Sequence, residues 1–212
     1  MFTIERAQVK LTFSGLVLGS LPKDLTALKY VNEQRKKVSA DPIPEESVEE
    51  LVGDETEQEE RQKCIFRRKE DIPAVDEHHI KGIIREVFKK QGYGRKYRGI
   101  WMAIHTQPYL ISFSKIENIV EEIRAFRVMG AQGPRSIVAV HEAVLNSELE
   151  FIIELHIPAD VSKKERDEKW NISLIKDALI YAGRYIGFGA GRLKSGIEHP
   201  YGLFAVDYFQ EL

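Results

Sequence analysis

Between Gly183 and Phe204 the chain reads Gly183-Arg184-Tyr185-Ile186-Gly187-Phe188-Gly189-Ala190-Gly191-Arg192-Leu193-Lys194-Ser195-Gly196, then Tyr201-Gly202-Leu203-Phe204. Glycine tolerates positive φ and lets another backbone, a side chain or a phosphate come close. Arg184, Arg192 and Lys194 place positive charge beside bare amides, a combination that suits an anion. Two readings follow: an anion-holding loop, or a glycine hinge that packs a last strand against a last helix. A dinucleotide fingerprint requires strand, glycine turn, then helix. Here a helical pattern precedes the glycines and a strand pattern follows, so that chemistry is disfavoured.

A second basic set surrounds the middle of the chain. Lys81 and Arg85 belong to a helical pattern, and Arg95, Lys96 and Arg98 to the loop after it. With Arg192 and Lys194 they would track a phosphate backbone if the fold brought them to one groove. Tyr93, Tyr97 and Trp101 would then lie near enough to stack bases. Solvated surface charge and core aromatics are the alternative. His78 and His79 open the same helix. His105, His141, His156 and His199 show no i, i+4 spacing, and Cys64 is the only cysteine, so no metal or other cofactor is expected. No Ser-His-Asp motif, phosphate-loop signature or carboxylate pair stands out along the chain.

Composition sets the class. With 212 residues, 43% hydrophobic and 30% charged, the chain is long enough to bury a core as one globular domain. No apolar run approaches a membrane span and no leader peptide is recognisable, so a cytoplasmic protein without a membrane partner is expected. The formal charge of −2 is unevenly spread, because Asp41 to Glu60 holds ten acidic residues and no basic one. Setting those ten of the 33 acidic residues aside leaves 23 against 31 basic residues, a formal +8. Such a basic body is compatible with a phosphate-bearing partner. Residues 31–70, with this acidic block, are expected to form an insertion.

The elements that must position these groups follow from periodicity. Val9, Leu11 and Phe13 alternate and run into Leu16-Val17-Leu18, predicting a strand over 7–18 with Gly15 and Gly19 marking a bulge and its end. Asp24 is a candidate cap for a helix through Lys37. Ile80, Ile83, Ile84, Val87 and Phe88 predict a helix over 76–91, capped by Asp76 and stopped by Gly92. Ile100 to Ile104 and Tyr109 to Phe113 read as short strands, and Ile116 to Met129 fits either helix or strand. The apolar runs on either side of Asn146-Ser147-Glu148 predict a hairpin over 137–157. Asp160 to Asn171 reads as a charged loop, followed by a helix over 172–185 and a strand over 203–209. Setting insertions aside, the order is β-α-β-β-α-β, the ferredoxin-like α+β arrangement, with an antiparallel sheet and both helices on one face. Its other face is free, as in RNA-recognition modules.

Two segments carry a family resemblance. Ile72-Pro73-Ala74-Val75 running into His79-Ile80-Lys81-Gly82-Ile83-Ile84-Arg85 resembles the "I-P-G-S-S-x-K-G-x-x-R" segment of the RAMP superfamily. Gly187-Phe188-Gly189-Ala190-Gly191-Arg192 with Tyr201-Gly202-Leu203-Phe204 is similar to its C-terminal glycine-rich loop. Related paired motifs occur in phage and prophage proteins. The superfamily comprises ferredoxin-like RNA-binding subunits of CRISPR surveillance complexes, which serve antiviral defence. The resemblance implies a non-catalytic subunit that binds single-stranded RNA or DNA and stacks in a homo-oligomer or multi-subunit complex. The implied contacts are Lys81, Arg85, Arg95, Lys96, Arg98, Arg192 and Lys194, with Gly187, Gly189, Gly191 and Gly202 as loop glycines. The superfamily's processing endoribonucleases use a histidine as general acid/base, which makes His78 and His79 the catalytic candidates of an alternative reading. A phage-derived structural or assembly protein is a further alternative.

Overall fold

The computed structural model describes residues 2–22, 63–130, 133–190 and 201–212. The first described strands are β1 (Phe2–Phe13), β2 (Leu16–Leu18), β3 (Leu21–Pro22), β4 (Lys63–Ile65), β5 (Arg67–Lys69) and β6 (Ile72–Asp76). Two helices follow, α1 (Glu77–Lys90) and α2 (Arg98–Met102), then β7 (Ile104–Gln107), β8 (Leu110–Ser114), β9 (Asn118–Gly130), β10 (Gly133–Leu145) and β11 (Glu148–Pro158). The chain closes with α3 (Lys163–Lys169), α4 (Ile172–Tyr185) and β12 (Phe204–Glu211).

β1 is the centre of the larger sheet. Its alternation buries Ala7, Val9, Leu11 and Phe13 on one face. β12 pairs antiparallel along one edge of β1, and β11 along the other. β11 in turn carries β7 and β8, and β6 and β5 extend the sheet beyond β8. The inward residues of β1 and β11 share one core with Ile80, Ile83, Ile84 and Val87 of α1 and with Ile175, Leu179 and Ala182 of α4. Both helices therefore cover the same face, and their period-3.6 stripes are what that face requires. The chain is α+β with a mostly antiparallel sheet and few helices, compatible with a ferredoxin-like fold.

Five strands form a second sheet in the order β2-β10-β4-β3, with β9 along the other edge of β10. Here the expected hairpin over 137–157 is corrected. Both strands exist, but β10 pairs with β9, β2 and β4, whereas β11 pairs with β1, β7 and β8. The physical reason lies at the crossing point. Gly15, at φ 126°, turns the chain from β1 to β2, and Asn146, at φ 43°, lies between β10 and β11. The two turns are tied together by Gly15 N donating to Asn146 Oδ1 at 2.8 Å, Asn146 N to Gly15 O at 3.1 Å, and Phe13 N to Ser147 O at 2.8 Å. Both chains thus change sheet at one place, and the strand expected over 7–18 is two strands.

The ambiguous stretch 116–129 is strand β9, because it supplies the long partner that β10 needs. Of the two short strands expected over 100–113, the first is largely helix. α2 buries Ile100 and brings Gly99 against the Trp170 ring. A short apolar run does not by itself distinguish one helical turn from a strand. Likewise α3 occupies part of the expected charged loop, started by Ser162, whose side chain accepts from Glu165 N. In the proposed insertion, 63–65 and 67–69 are strands of the two sheets. The acidic block and the helix expected after Asp24 lie outside the described residues.

Candidate functional site

The glycine stretch is first a packing device. A Cβ on Gly183 would lie 2.1 Å from Phe204 O, and one on Gly187 2.1 Å from Tyr201 O. On Gly189 it would lie 2.4 Å from Leu18 O, and on Gly202 2.4 Å from Phe188 O. Gly187, Gly189 and Gly202 also have φ values of 81°, 76° and 65°, which disfavour a side chain. The amides are spent on protein carbonyls: Gly187 N on Ala182 O, Phe188 N on Gly202 O, Ala190 N on Leu18 O and Gly202 N on Leu16 O. This corrects the picture of bare amides awaiting an anion at Gly187, Phe188, Ala190 and Gly202. Gly191, Arg192 and Lys194 lie outside the described residues.

The loop carries Phe188 into the core, edge-on to Phe13, and lays it parallel to the His79 imidazole with 13° between planes and 6.0 Å between centroids. That contact joins the glycine loop to the first turn of α1. Asp76 caps this helix as predicted, accepting from His78 N at 3.0 Å. The same buried carboxylate lies 3.2 Å from His79 Nδ1 and 3.6 Å from the Arg67 guanidinium. His79 Nε2 stands 3.0 Å from Ser20 Oγ. With Nδ1–H donating to Asp76, the neutral ring accepts from the serine hydroxyl through Nε2. Tertiary structure thus assembles a Ser20–His79–Asp76 array that no spacing in the sequence announces. His78 Nδ1 lies 3.2 Å from the Tyr109 phenol oxygen and 3.5 Å from Asp76 Oδ1.

Of the cations that could share one groove, Lys81, Arg85, Arg95 and Lys96 have described side chains, and they lie at two places along α1. Lys81 pairs with Glu77 at 2.7 Å. Two residues along a helix is about 200° of rotation, so Lys81 leaves α1 on the side away from His79 and the glycine loop. Arg85 follows one turn later on nearly the same side as Lys81, and is exposed. Arg95 and Lys96 lie past the far end of α1, whose 14 residues span about 21 Å. There Lys96 stands 5.7 Å and 5.1 Å from the centroids of Tyr93 and Tyr97. Tyr97 is itself buried against Phe88, and Trp101 packs on the same core, so of the three aromatics Tyr93 alone is exposed. Arg98 opens α2; its side chain lies outside the described residues.

Beside the glycine loop stand cations that sequence reasoning overlooked. Arg124 of β9 lies 3.7 Å over the Tyr201 ring, while the Tyr201 hydroxyl donates to Glu122 at 2.9 Å. Burial, with that hydrogen bond, holds the phenol above its ordinary pKa. Arg67 joins Asp76, and Arg68 binds Glu142 of β10 through both terminal nitrogens. The basic run Arg67-Arg68-Lys69 was the available signal. An open cavity of about 250 Å³ lies alongside, lined in part by Lys63, Arg68, Glu121 and Glu142. Among the described residues, no three His, Cys, Asp or Glu side chains are grouped to hold a metal ion, and no helix is long and apolar enough to cross a membrane.

No protein-family model matches the chain, and no curated protein matches it by sequence. Solved structures do match by shape. One is a chain of the cryo-EM structure of the Type III-B Cmr-beta bound to cognate target RNA, with a TM-score of 0.55 and 14% identity. The match covers 99% of the present chain and 61% of that one, so this chain spans about three-fifths of its length. At that identity the likeness is one of fold: this chain is folded like about three-fifths of one chain of that structure.

Proposed function

We propose that this protein binds single-stranded RNA as a non-catalytic subunit of a multi-subunit, CRISPR-type complex, in the manner of the RAMP superfamily. In this reading β12-β1-β11-β7 with α1 and α4 are the ferredoxin-like β-α-β-β-α-β core, and β7 takes the place first given to β10. The observation that carries it is the fold likeness, over nearly the whole of this chain, to a chain of the Cmr-beta structure bound to cognate target RNA. The motif resemblances at the start of α1 and in the glycine loop point the same way. Copies of the chain, or the chain with other subunits, would line the RNA side by side. Binding would be dominated by phosphate contacts and therefore salt-dependent. Fluorescence anisotropy with a uniform single-stranded RNA tests it. Arg192→Glu with Lys194→Glu is expected to weaken binding about tenfold or more at moderate salt. Unchanged affinity would remove the glycine loop from the interface.

A second reading is a metal-independent endoribonuclease, and the Ser20–His79–Asp76 array favours it. Asp76, 3.2 Å from Nδ1, orients the imidazole so that Nε2 faces outward from the carboxylate, which is the geometry a general base needs. His79 Nε2 would take the ribose 2′-hydroxyl proton as that oxygen attacks the adjacent phosphorus and the 5′-oxygen leaves. Incubating end-labelled structured RNA with the protein in excess chelator decides between the two. Cleavage that disappears in His79→Ala supports the enzyme; intact RNA supports the binding subunit.

A further inference from the structure

On the other side of α1 from His79, the start of β1, the end of β11 and the end of α2 surround an open cavity of about 460 Å³. Its walls are Phe2, Met102, Trp170 and Pro158, together with the imidazoles of His105 and His156. The pairing register explains the meeting: Phe2 lies opposite Pro158, Ile4 opposite His156, and Glu154 opposite His105. The two imidazole centroids are 4.6 Å apart, and Phe2 lies 6.4 Å from His156. Phe2 and Met102 are each 63% exposed at the mouth, although both are large apolar side chains.

We infer that this cavity is a binding site for an uncharged, planar heteroaromatic ring, namely an unpaired nucleobase. Four aromatic rings border it, and stacking on such rings is the sequence-tolerant way in which proteins hold single bases. Its volume falls in the range of small-ligand pockets. Charge complementarity excludes a phosphate as the group bound there. Among the described residues no Lys, Arg, Asp or Glu lines the cavity, and the carboxylates behind it are already neutralised. Glu154 binds Arg6 at 2.7 Å and His156 at 3.0 Å, and Glu77 binds Lys81 at 2.7 Å and Thr106 N at 3.1 Å. Burial, aided by Lys81, holds His105 below its ordinary pKa, although its Nδ1 lies 3.6 Å from Glu77 Oε2. A ring neutral near pH 7 favours stacking over the binding of an anion. The site lies away from the glycine loop and stands independently of the RNA-binding reading.

The test is a titration of the full chain with adenosine, AMP and ribose 5-phosphate, following the imidazole C–H resonances of His105 and His156 by NMR. Adenosine is expected to give saturable shifts of both, AMP to match it within about twofold, and ribose 5-phosphate to give none, since stacking and edge contacts carry the binding. Phe2→Ala and Met102→Ala, both at exposed positions, are each expected to weaken adenosine at least fivefold, about the loss of one stacking or apolar partner. Resonances unmoved up to about 10 mM adenosine, well above a millimolar Kd, overturn the proposal. So does equal binding of AMP and ribose 5-phosphate, which would mark a phosphate site, or adenosine affinity that both variants leave unchanged. Single-stranded RNA binding measured on the same samples separates the two ideas: RNA binding without adenosine binding refutes the pocket alone.

Discussion

Phe188 and Gly202 are locked together backbone to backbone. The Phe188 N–H donates to the Gly202 carbonyl at 2.9 Å, and a Cβ added to Gly202 would stand 2.4 Å from the Phe188 carbonyl oxygen. This contact closes the C-terminal motif over the core, since Phe188 is fully buried against Phe13, Phe204 and the His79 ring.

Gly202→Ala is therefore expected to lose about 3 kcal/mol or more, combining left-handed φ with a backbone clash that no side-chain motion relieves. Gly92→Ala is the control, because Gly92 has φ 77° but nothing within 4 Å of an added Cβ. Its cost is expected to stay near 1 kcal/mol, the strain alone. Urea denaturation of both variants measures the difference, and equal costs would refute the close approach.

Glu142 ties the second sheet to the edge of the first by accepting from Phe66 N at 2.9 Å and from the Arg68 guanidinium. Glu142→Ala leaves a part-buried amide and a cation without their acceptor. A loss of about 1–3 kcal/mol is expected by urea denaturation. Gln at this position keeps the amide acceptor and is expected to recover part of that loss.

Stability is expected to depend on pH through Glu154. Burial works to raise this carboxyl, but hydrogen bonds from His156 and Arg6 outweigh it, so its folded pKa lies below the ordinary value. A depressed carboxyl contributes stability that is fully present above its unfolded pKa, about 4.3, and is lost as pH falls through the folded value. His105, also depressed, adds a loss that begins below about 6.5, because the unfolded imidazole takes up its proton first. Thermal unfolding from pH 7 to pH 3 should show both. Glu154→Gln should flatten the acidic limb, and His105→Gln the limb nearer neutrality.

For nucleic-acid binding, Arg95→Glu with Lys96→Glu probes the far end of α1 separately from Arg192 and Lys194. If one RNA strand touches both pairs, either double variant should lower the slope of log K against log salt by about 0.7 for each phosphate no longer neutralised. A slope that changes for one pair alone assigns the strand to that pair. Binding isotherms at several salt concentrations read this directly.

Much of the fold was legible in the chain. Ile80, Ile83, Ile84, Val87 and Phe88 repeat at helical spacing, and Asp76 before them is a cap, so α1 lies within one residue of its expected bounds. The same holds for α4, and the alternation of Val9, Leu11 and Phe13 marked the buried face of β1. These are local signals: they record which side of an element meets the core. They do not record which strand lies next to it, and so periodicity pairs β10 with β11, the strand after it, rather than with β9, the strand before it. The site divides along the same line. The glycines were visible, because only their backbone can occupy those positions. The meeting of Ser20 with His79, 59 residues away, and the departure of Lys81 on the opposite side of α1 were not. Side-chain proximity across that distance comes from how strands and helices pack, which no spacing within one element encodes.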